Sequence, residues 1–157
     1  MKLAPNFSLG ELTKSSTATR LGIDNTPNSE HLINMVYVAS HILQPVRNHF
    51  GRVVTINSGY RSPKLNTAVR GSKTSQHCFG QAADFEIYGY PNHDLAEWIK
   101  KNLEFDQLIL EFYNPKEGPN SGWIHCSYNF KGPNRKKVMT ALVKNGKTSY
   151  LNGLVTK

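Results

Sequence analysis

The sequence predicts an α+β fold, in which a small antiparallel sheet packs against a long N-terminal helix and a shorter second helix. Apolar residues recur at helical spacing over residues 26–50 and again over residues 94–103, whereas four other segments alternate with a period of two. Two further segments flank an Asn-Gly pair, Asn145-Gly146, which is the strongest short hairpin signal. We therefore also expect a C-terminal hairpin.

The two predicted helices have recognisable ends. Pro27 suits the first turn of the long helix, Gly51 suits its end, and Pro45 is expected to kink it. In the second helix, Asn92 is available as the N-cap. We expect the long helix to be the main scaffold of the fold.

The strands follow from alternating apolar and polar residues. The expected strands are 53–58, 82–87, 107–112 and 123–128, with 138–143 and 148–151 in the hairpin. The only long connection runs over residues 59–81. A connection of that length in a compact domain is usually functional, and it contains most of the unusual residues.

Length and composition indicate a folded globular protein. A chain of 157 residues fits one domain, and 38% hydrophobic with 19% charged residues is unlike a disordered tail. The N-terminus lacks the apolar stretch of a signal peptide, and no run is long enough to span a bilayer. We expect one domain over residues 1–157, a monomer with no transmembrane segment, made in the cytoplasm without a signal peptide.

The formal net charge of +8 favours an anionic partner, such as the bacterial envelope or nucleic acid. A solubilising surface is an equally good interpretation of the same charge. We find no helix with a basic recognition face and no Cys/His finger spacing, so no specific nucleic-acid partner is expected.

Three residues have the chemistry of a metal site. His77 ends a polar loop, while Asp84 and His125 each lie in an otherwise apolar predicted strand. A charged group on a buried strand is costly unless it is paired or binds a metal. If the three side chains meet, they form a three-ligand site of the catalytic-zinc type with a fourth position for water. Hydrogen-bonded core groups are the alternative.

Two cysteines, Cys78 and Cys126, directly follow the two histidines. Neighbouring residues on a strand point to opposite faces, so His125 and Cys126 could not easily share one metal. We interpret both cysteines as small buried packing residues.

The segment 75–84 has the form Ser-x-His-x-x-Gly-x-Ala-x-Asp. It resembles the zinc motif of the family that includes D-alanyl-D-alanine carboxypeptidases, D-Ala-D-Ala dipeptidases and L-alanyl-D-glutamate endopeptidases. Residues 58–62 resemble the arginine segment of that family, and residues 123–127 resemble its second histidine strand. Residues 17–25 and the helix after them resemble its phage-associated, single-domain branch.

The resemblance implies that His77, Asp84 and His125 bind Zn²⁺, which can activate water to attack an amide carbonyl. It also implies a peptide bond of bacterial peptidoglycan as the substrate, reached after release from the cell or as part of a phage particle. Arg61 would anchor a substrate carboxylate or polarise the scissile carbonyl. A loop-fixing role is the alternative for Arg61.

One position departs from the family pattern. Family members have an acidic residue three positions before the second histidine, where this chain has Gly122. By elimination among the acidic residues we assign the general base to Glu111, at the end of an apolar strand just before the turn that leads to His125. Pairing of Glu111 with a lysine is the alternative.

Three polar residues are further candidates around the metal. We expect Ser75, Gln76 and Ser127 to orient ligands or substrate, although ordinary loop hydrogen bonding would also account for them. Because Gly122 cannot supply a carboxylate, a non-catalytic zinc-containing module that binds the cell wall is a second functional hypothesis.

Overall fold

A computed structural model describes residues 1–155 of the chain and confirms the α+β fold class. The helices are α1 (Leu9–Thr13), α2 (Ser16–Leu21), α3 (Ser29–Val38), α4 (Gln44–Phe50), α5 (Pro63–Ala68) and α6 (Asn92–Asn102). The strands are β1 (Lys2–Ala4), β2 (Phe7–Ser8), β3 (Thr55–Ser58), β4 (Ala82–Glu86), β5 (Gln107–Glu111), β6 (Trp123–Ser127), β7 (Lys137–Lys144) and β8 (Lys147–Asn152). A π-helical turn (Ala39–Leu43) joins α3 to α4, and 3₁₀ turns occur at Gln76–Phe79 and Pro115–Glu117.

The main sheet has six strands in the order β3-β4-β6-β5-β7-β8, and β1 and β2 form a separate antiparallel pair. All neighbours in the main sheet are antiparallel except β5 and β7. After β6 the chain crosses to the other edge of β5 and reverses direction, so β7 runs parallel to β5. The C-terminal hairpin is the predicted one and closes at the expected Asn-Gly turn.

The long predicted helix is a composite of α3, the π turn and α4. It begins at Ser29, three residues later than predicted, because the side chain of Asn28 caps it by accepting from the His31 amide at 2.8 Å. The π turn lies just before Pro45, where the missing N–H and the ring disturb α-helical hydrogen bonding. The helix ends at Gly51, as predicted, with a φ of 62°.

The second helix, α6, begins two residues earlier than predicted, and Asn92 is not its N-cap. Pro91 occupies the cap position. The Asn92 side chain is fully buried and donates to the carbonyl oxygens of Ser121 and Gly122 at 3.0 and 3.3 Å. Asn92 therefore joins α6 to the turn that precedes β6.

The predicted long loop is partly helical, since it contains α5 and the 3₁₀ turn that carries His77. Its start packs tightly against α1. The Tyr60 amide donates to the Leu12 carbonyl at 2.7 Å, and a Cβ on Gly59 would overlap that same carbonyl oxygen. The N-terminal helix α1 thus supports the start of the loop. The short apolar patterns of the N-terminal helices show no clear period in the sequence.

The two faces of the main sheet have different environments. Core residues such as Phe85, Leu110 and Ile124 point into the hydrophobic cluster, to which the long helix and α6 both contribute. Asp84 and His125, their neighbours in sequence, point to the opposite face. Within residues 1–155, no helix has the length and apolar character needed to cross a membrane.

Candidate metal centre

His77, Asp84 and His125 meet on the open face of the sheet. Asp84 on β4 and His125 on β6 are direct cross-strand partners. His77 lies in the 3₁₀ turn that leads into β4, so a short connection brings it beside Asp84. One donor atom from each residue lies within 4.8 Å of the others, and all three residues are buried. The cluster predicted from the sequence is therefore assembled.

A single carboxylate oxygen is shared by both histidines. Asp84 Oδ1 lies 3.2 Å from His77 Nε2 and 3.0 Å from His125 Nδ1. Burial by itself raises the pKa of Asp84, but the two imidazoles outweigh this effect and hold the pKa well below its ordinary value. Asp84 is thus an anionic group between two imidazoles.

The environment of His77 points to a cation at this place. Its Nδ1 lies 2.7 Å from the Gly59 carbonyl oxygen, which can only accept a hydrogen bond, so Nδ1 carries the proton. In the neutral imidazole, Nε2 then presents a lone pair to Asp84 Oδ1. Two acceptors this close need a positive charge between them, supplied by a proton or a metal ion.

The donor set and its spacing fit zinc. Two imidazole nitrogens and one carboxylate oxygen are a ligand set typical of zinc sites. Tetrahedral ligands at about 2.0–2.1 Å from zinc are about 3.3 Å apart, close to the separations from Asp84 to both histidines. The bond from His77 to Gly59 is the kind of outer-shell contact that fixes the orientation of a ligating imidazole.

The three residues line an open cleft of about 330 Å³. Arg61 and Glu111, the two predicted catalytic residues, line the same cleft. Ligand pockets commonly start at about this size. The structure thus brings the predicted ligands and the predicted catalytic pair together at one place.

Arg61 is held by two side chains at the edge of the cleft. Its Nη1 donates to Asn66 Oδ1 at 3.0 Å, and its Nε donates more weakly to Ser58 Oγ at 3.4 Å. Gly71 permits this arrangement, because a Cβ there would overlap Asn66 Oδ1 and lie 2.6 Å from Arg61 Nη1. The loop therefore orients the guanidinium while leaving it at the cleft surface.

Glu111 is fixed by a residue of the neighbouring strand. Trp123 is its cross-strand partner, and Trp123 Nε1 donates to Glu111 Oε2 at 2.7 Å. Burial, followed by the negative charge of Asp84, raises the pKa of Glu111 above its ordinary value. A carboxyl group with a raised pKa is suited to proton transfer near neutral pH. No lysine pairs with Glu111 among the described residues.

Gly122 has a structural reason for lacking a side chain. Its φ is +67°, and a Cβ there would overlap the carbonyl oxygen of Glu111 and crowd the backbone of Phe112. An acidic residue at position 122 is therefore incompatible with this backbone. The same close approach brings the strand end that carries Glu111 next to the start of β6.

The three remaining predicted residues have different positions. Ser75 and Gln76 line the cleft, but the Gln76 amide is held by Asp106, to which Nε2 donates at 2.9 Å. Ser127 is fully buried, does not line the cleft, and its Oγ accepts from the Gln107 amide at 3.0 Å. Ser127 thus holds the start of β5. A role of Ser127 in orienting ligands or substrate stays a prediction.

Both cysteines are buried and free, in agreement with the packing role predicted for them. Burial raises the pKa of the Cys78 thiol and, more strongly, that of the Cys126 thiol. Cys126 belongs to the hydrophobic cluster on the face of β6 opposite to His125.

Sequence reasoning missed Asn66, Trp123 and Tyr150 as parts of the cleft and its supports. The alternation of β6 already placed Trp123 on the face of His125, so a signal for it existed. Asn66 and Tyr150 carry no local signal, because their roles depend on the fold of the long loop and on the pairing of β7 with β8.

Three residues that could hold a metal line an open cleft, which is the arrangement of catalytic zinc sites, whereas structural zinc sites are closed by four protein ligands. The comparison with known families agrees. Residues 5–127 match the family described as Peptidase M15, and the chain belongs to this family of zinc-dependent peptidases. No curated protein matches the chain.

Proposed function

We propose that the chain is a zinc metallopeptidase that hydrolyses a peptide bond in bacterial peptidoglycan. The observation that carries the proposal is the pair of facing acceptors, His77 Nε2 and Asp84 Oδ1, at the floor of a cleft that Arg61 and Glu111 also line. Zinc bound there would supply Lewis-acid chemistry, which polarises a carbonyl group and activates water.

Glu111 and Arg61 supply the remaining chemistry. The Glu111 carboxylate takes a proton from the attacking water, whose oxygen bonds to the amide carbon, and then returns the proton to the leaving nitrogen as the C–N bond breaks. Arg61 pairs with a substrate carboxylate or stabilises charge on the carbonyl oxygen. The Trp123 indole, which donates to Glu111 Oε2, keeps the carboxylate in place during these transfers.

Peptidoglycan is the proposed substrate on the basis of three observations. The chain belongs to the Peptidase M15 family. Its motifs resemble those of enzymes that cut cell-wall peptides. Its net charge of +8 favours encounter with an anionic envelope. We include in the proposal a role on the cell wall after release or within a phage particle.

The test is digestion of purified peptidoglycan by the zinc-loaded chain, followed by mass spectrometry of the fragments. We expect new amino groups and shortened stem peptides, and none from a His125→Ala variant. Loss of terminal D-alanine would identify a carboxypeptidase, whereas cleavage within the stem or a cross-link would identify an endopeptidase. Absence of any new amine with the zinc-loaded chain would reject the proposal.

A non-catalytic wall-binding module is the second candidate, and Gly122 is the observation that favours it, because the family's acidic position is empty. Glu111 decides between the two. A binding module retains peptidoglycan in a pull-down without releasing amines, and Glu111→Gln leaves that binding unchanged. For the enzyme, the wild-type chain releases amines and the same substitution abolishes their release.

A further inference from the structure

The last strand of the sheet, β8, reaches the metal cleft through Tyr150. The family match ends at residue 127, so the β7–β8 hairpin lies outside the matched residues. We infer that Tyr150 is a substrate-binding residue that contacts the peptide on the side of the scissile bond opposite to Arg61. This inference rests on the proposed peptidase function and adds the residue that sets the required length of the peptide.

The strand register places Tyr150 on the cleft face. Glu111 on β5 is paired with Ala141 on β7, and Ala141 is paired with Tyr150 on β8. Directly paired residues project from the same face of a sheet. The residue between them, Ala141, has a small and fully buried side chain, so the Tyr150 ring can lean across β7 toward Glu111. Glu111 is close enough to contribute, after burial, to a raised pKa of Tyr150.

Tyr150 is available to a ligand. The residue is 54% exposed although it lines the cleft, and its hydroxyl forms no hydrogen bond within residues 1–155. A tyrosine offers an apolar ring for packing and a hydroxyl that donates or accepts a hydrogen bond. Those properties suit an amide group of an extended peptide, with the ring covering its side chain.

Tyr150 and Arg61 lie at opposite edges of the sheet. Arg61 follows the edge strand β3, whereas Tyr150 belongs to the other edge strand, β8. The metal ligands Asp84 and His125 lie between them, on β4 and β6. A peptide bound across the strands therefore meets Arg61 on one side of the metal and Tyr150 on the other.

The distance from His125 on β6 to Tyr150 on β8 determines how long a peptide must be to contact Tyr150. Three strand spacings separate β6 from β8, and this corresponds to about 14 Å between backbones. The tyrosine side chain covers part of that gap. An extended peptide advances about 3.3–3.6 Å per residue, so Tyr150 contacts a residue about two or three positions from the scissile bond.

The experiment compares the zinc-loaded full chain with its Tyr150→Ala variant on synthetic stem peptides. One peptide extends three residues on both sides of the cleaved bond, and two others are truncated to one residue on either side. Tyr88→Ala serves as the matched control, because Tyr88 is 67% exposed and does not line the cleft. Binding is measured separately by calorimetry in a Glu111→Gln background, so that a readout exists without turnover.

We expect Tyr150→Ala to raise KM and Kd for the long peptide about tenfold, as for a contact residue of moderate strength. The effect should vanish for one of the two truncated peptides, and Tyr88→Ala should have no effect. If Tyr150 had a purely structural role, Tyr150→Ala would instead change KM and Kd equally for all three peptides. Unchanged KM and Kd, or an equal change for all peptides, overturns the inference while the peptidase function stands. If the wild-type chain neither binds nor cleaves any of the peptides, the proposed function fails and this inference fails with it.

Discussion

Several glycines allow close approach of the backbone to the side chains that we propose for catalysis, or to the strands that carry them. Gly71 is the clearest case, because Asn66 and Arg61 occupy the space that its side chain would fill. Asn66 in turn accepts from Arg61 Nη1 at 3.0 Å and donates to the Ser72 carbonyl at 2.9 Å. The position of the Arg61 guanidinium thus depends on Gly71, a residue without a side chain.

Replacement of Gly71 by alanine should therefore impair the enzyme through Arg61. The added methyl group displaces Asn66 and releases the guanidinium, so kcat/KM for a stem peptide is expected to fall about tenfold or more. Steady-state kinetics measures this. Gly10→Ala is the matched control, because its nearest contact would be Ser8 Oγ at an ordinary 3.8 Å. Equal kinetics for both variants would contradict the role assigned to Gly71.

Gly122 makes a separate prediction about stability. Gly122→Ala combines a positive φ with overlap of the Glu111 carbonyl, so we expect a loss of about 2–4 kcal/mol in the free energy of unfolding. Gly22→Ala has a similar φ of +65° in open space, so it should cost only about 1 kcal/mol. Urea unfolding of the two variants compares these costs. Similar costs would mean that the overlap relaxes easily.

Glu111 is the residue on which turnover depends. Glu111→Gln keeps the shape of the side chain and an acceptor for the Trp123 indole but removes the proton-accepting carboxylate. We expect kcat to fall about 10²–10⁴-fold, the range for loss of general acid–base catalysis. Zinc content, measured by atomic absorption, should stay at the wild-type level. A variant that retains more than about half of wild-type kcat would remove Glu111 from the mechanism.

Among the elements, the 3₁₀ turn that carries His77 is linked to β5 and to the crossover before β7 by the Asp106 carboxylate. Asp106 accepts from the Gln76 amide at 2.9 Å and from Arg135 Nε and Nη2 at 2.9 and 2.8 Å. Asp106 precedes β5, and Arg135 lies in the crossover to β7. One buried side chain therefore joins the metal-ligand turn, the strand of Glu111 and the crossover.

The Asp106 network predicts how stability depends on pH. Hydrogen bonding from Arg135 lowers the pKa of Asp106 below its ordinary 3.8. The stabilisation that ionised Asp106 contributes is therefore present above pH 3.8, the ordinary pKa. It is lost as the pH falls through the lower pKa that Asp106 has in the folded state. Asp106→Asn should cost about 2–3 kcal/mol at neutral pH. The difference from wild type should narrow below about pH 4, which chemical denaturation at several pH values can measure. A gap that stays constant down to pH 2 would refute the linkage.

The sequence was informative about elements with a regular period and a long span. The strands of Asp84 and His125 were predicted to within a residue or two, because alternation persists over each of them. The short helices α1, α2 and α5 were not predicted, since five or six residues cannot display a helical period. Helix ends shifted where a side chain such as that of Asn28 capped the helix unexpectedly.

In the candidate site, too, some residues could be predicted from the sequence and others could not. His77, Asp84 and His125 could be predicted because a local motif and polar residues within apolar strands indicate a metal site. The structure brings the three residues together. The position of Ser127 was not foreseen, because its strand neighbour Gln107 holds its hydroxyl in the interior. Contacts between residues far apart in sequence depend on sheet order, and the parallel pairing of β5 with β7 was not visible in the sequence.

On the scale of the whole molecule, the hydrophobic core and the proposed reaction site lie on opposite faces of the main sheet. One face packs on the long helix and α6 with fully buried residues such as Phe85 and Leu108, and the other carries the three candidate metal ligands and the cleft. Polar groups on the open face are costly without a cation, because two acceptors, His77 Nε2 and the buried Asp84 carboxylate, are held together there. Metal binding should therefore contribute to the stability of the entire fold.

Removal of the metal tests this coupling. At zinc concentrations about 100 times Kd, binding to the folded state alone contributes about 2.7 kcal/mol, which for this chain length corresponds to about 5–10 °C in Tm. We expect a chelator to lower Tm by that amount and zinc to restore it, as measured by calorimetry. His125→Ala should show no zinc-dependent shift, whereas His49→Ala, which changes a surface histidine on α4, should keep the full shift. A zinc-dependent shift in His125→Ala equal to that of the wild type would mean that zinc binds elsewhere on the chain. The three residues on the open face of the sheet would then be a hydrogen-bonded cluster without a metal.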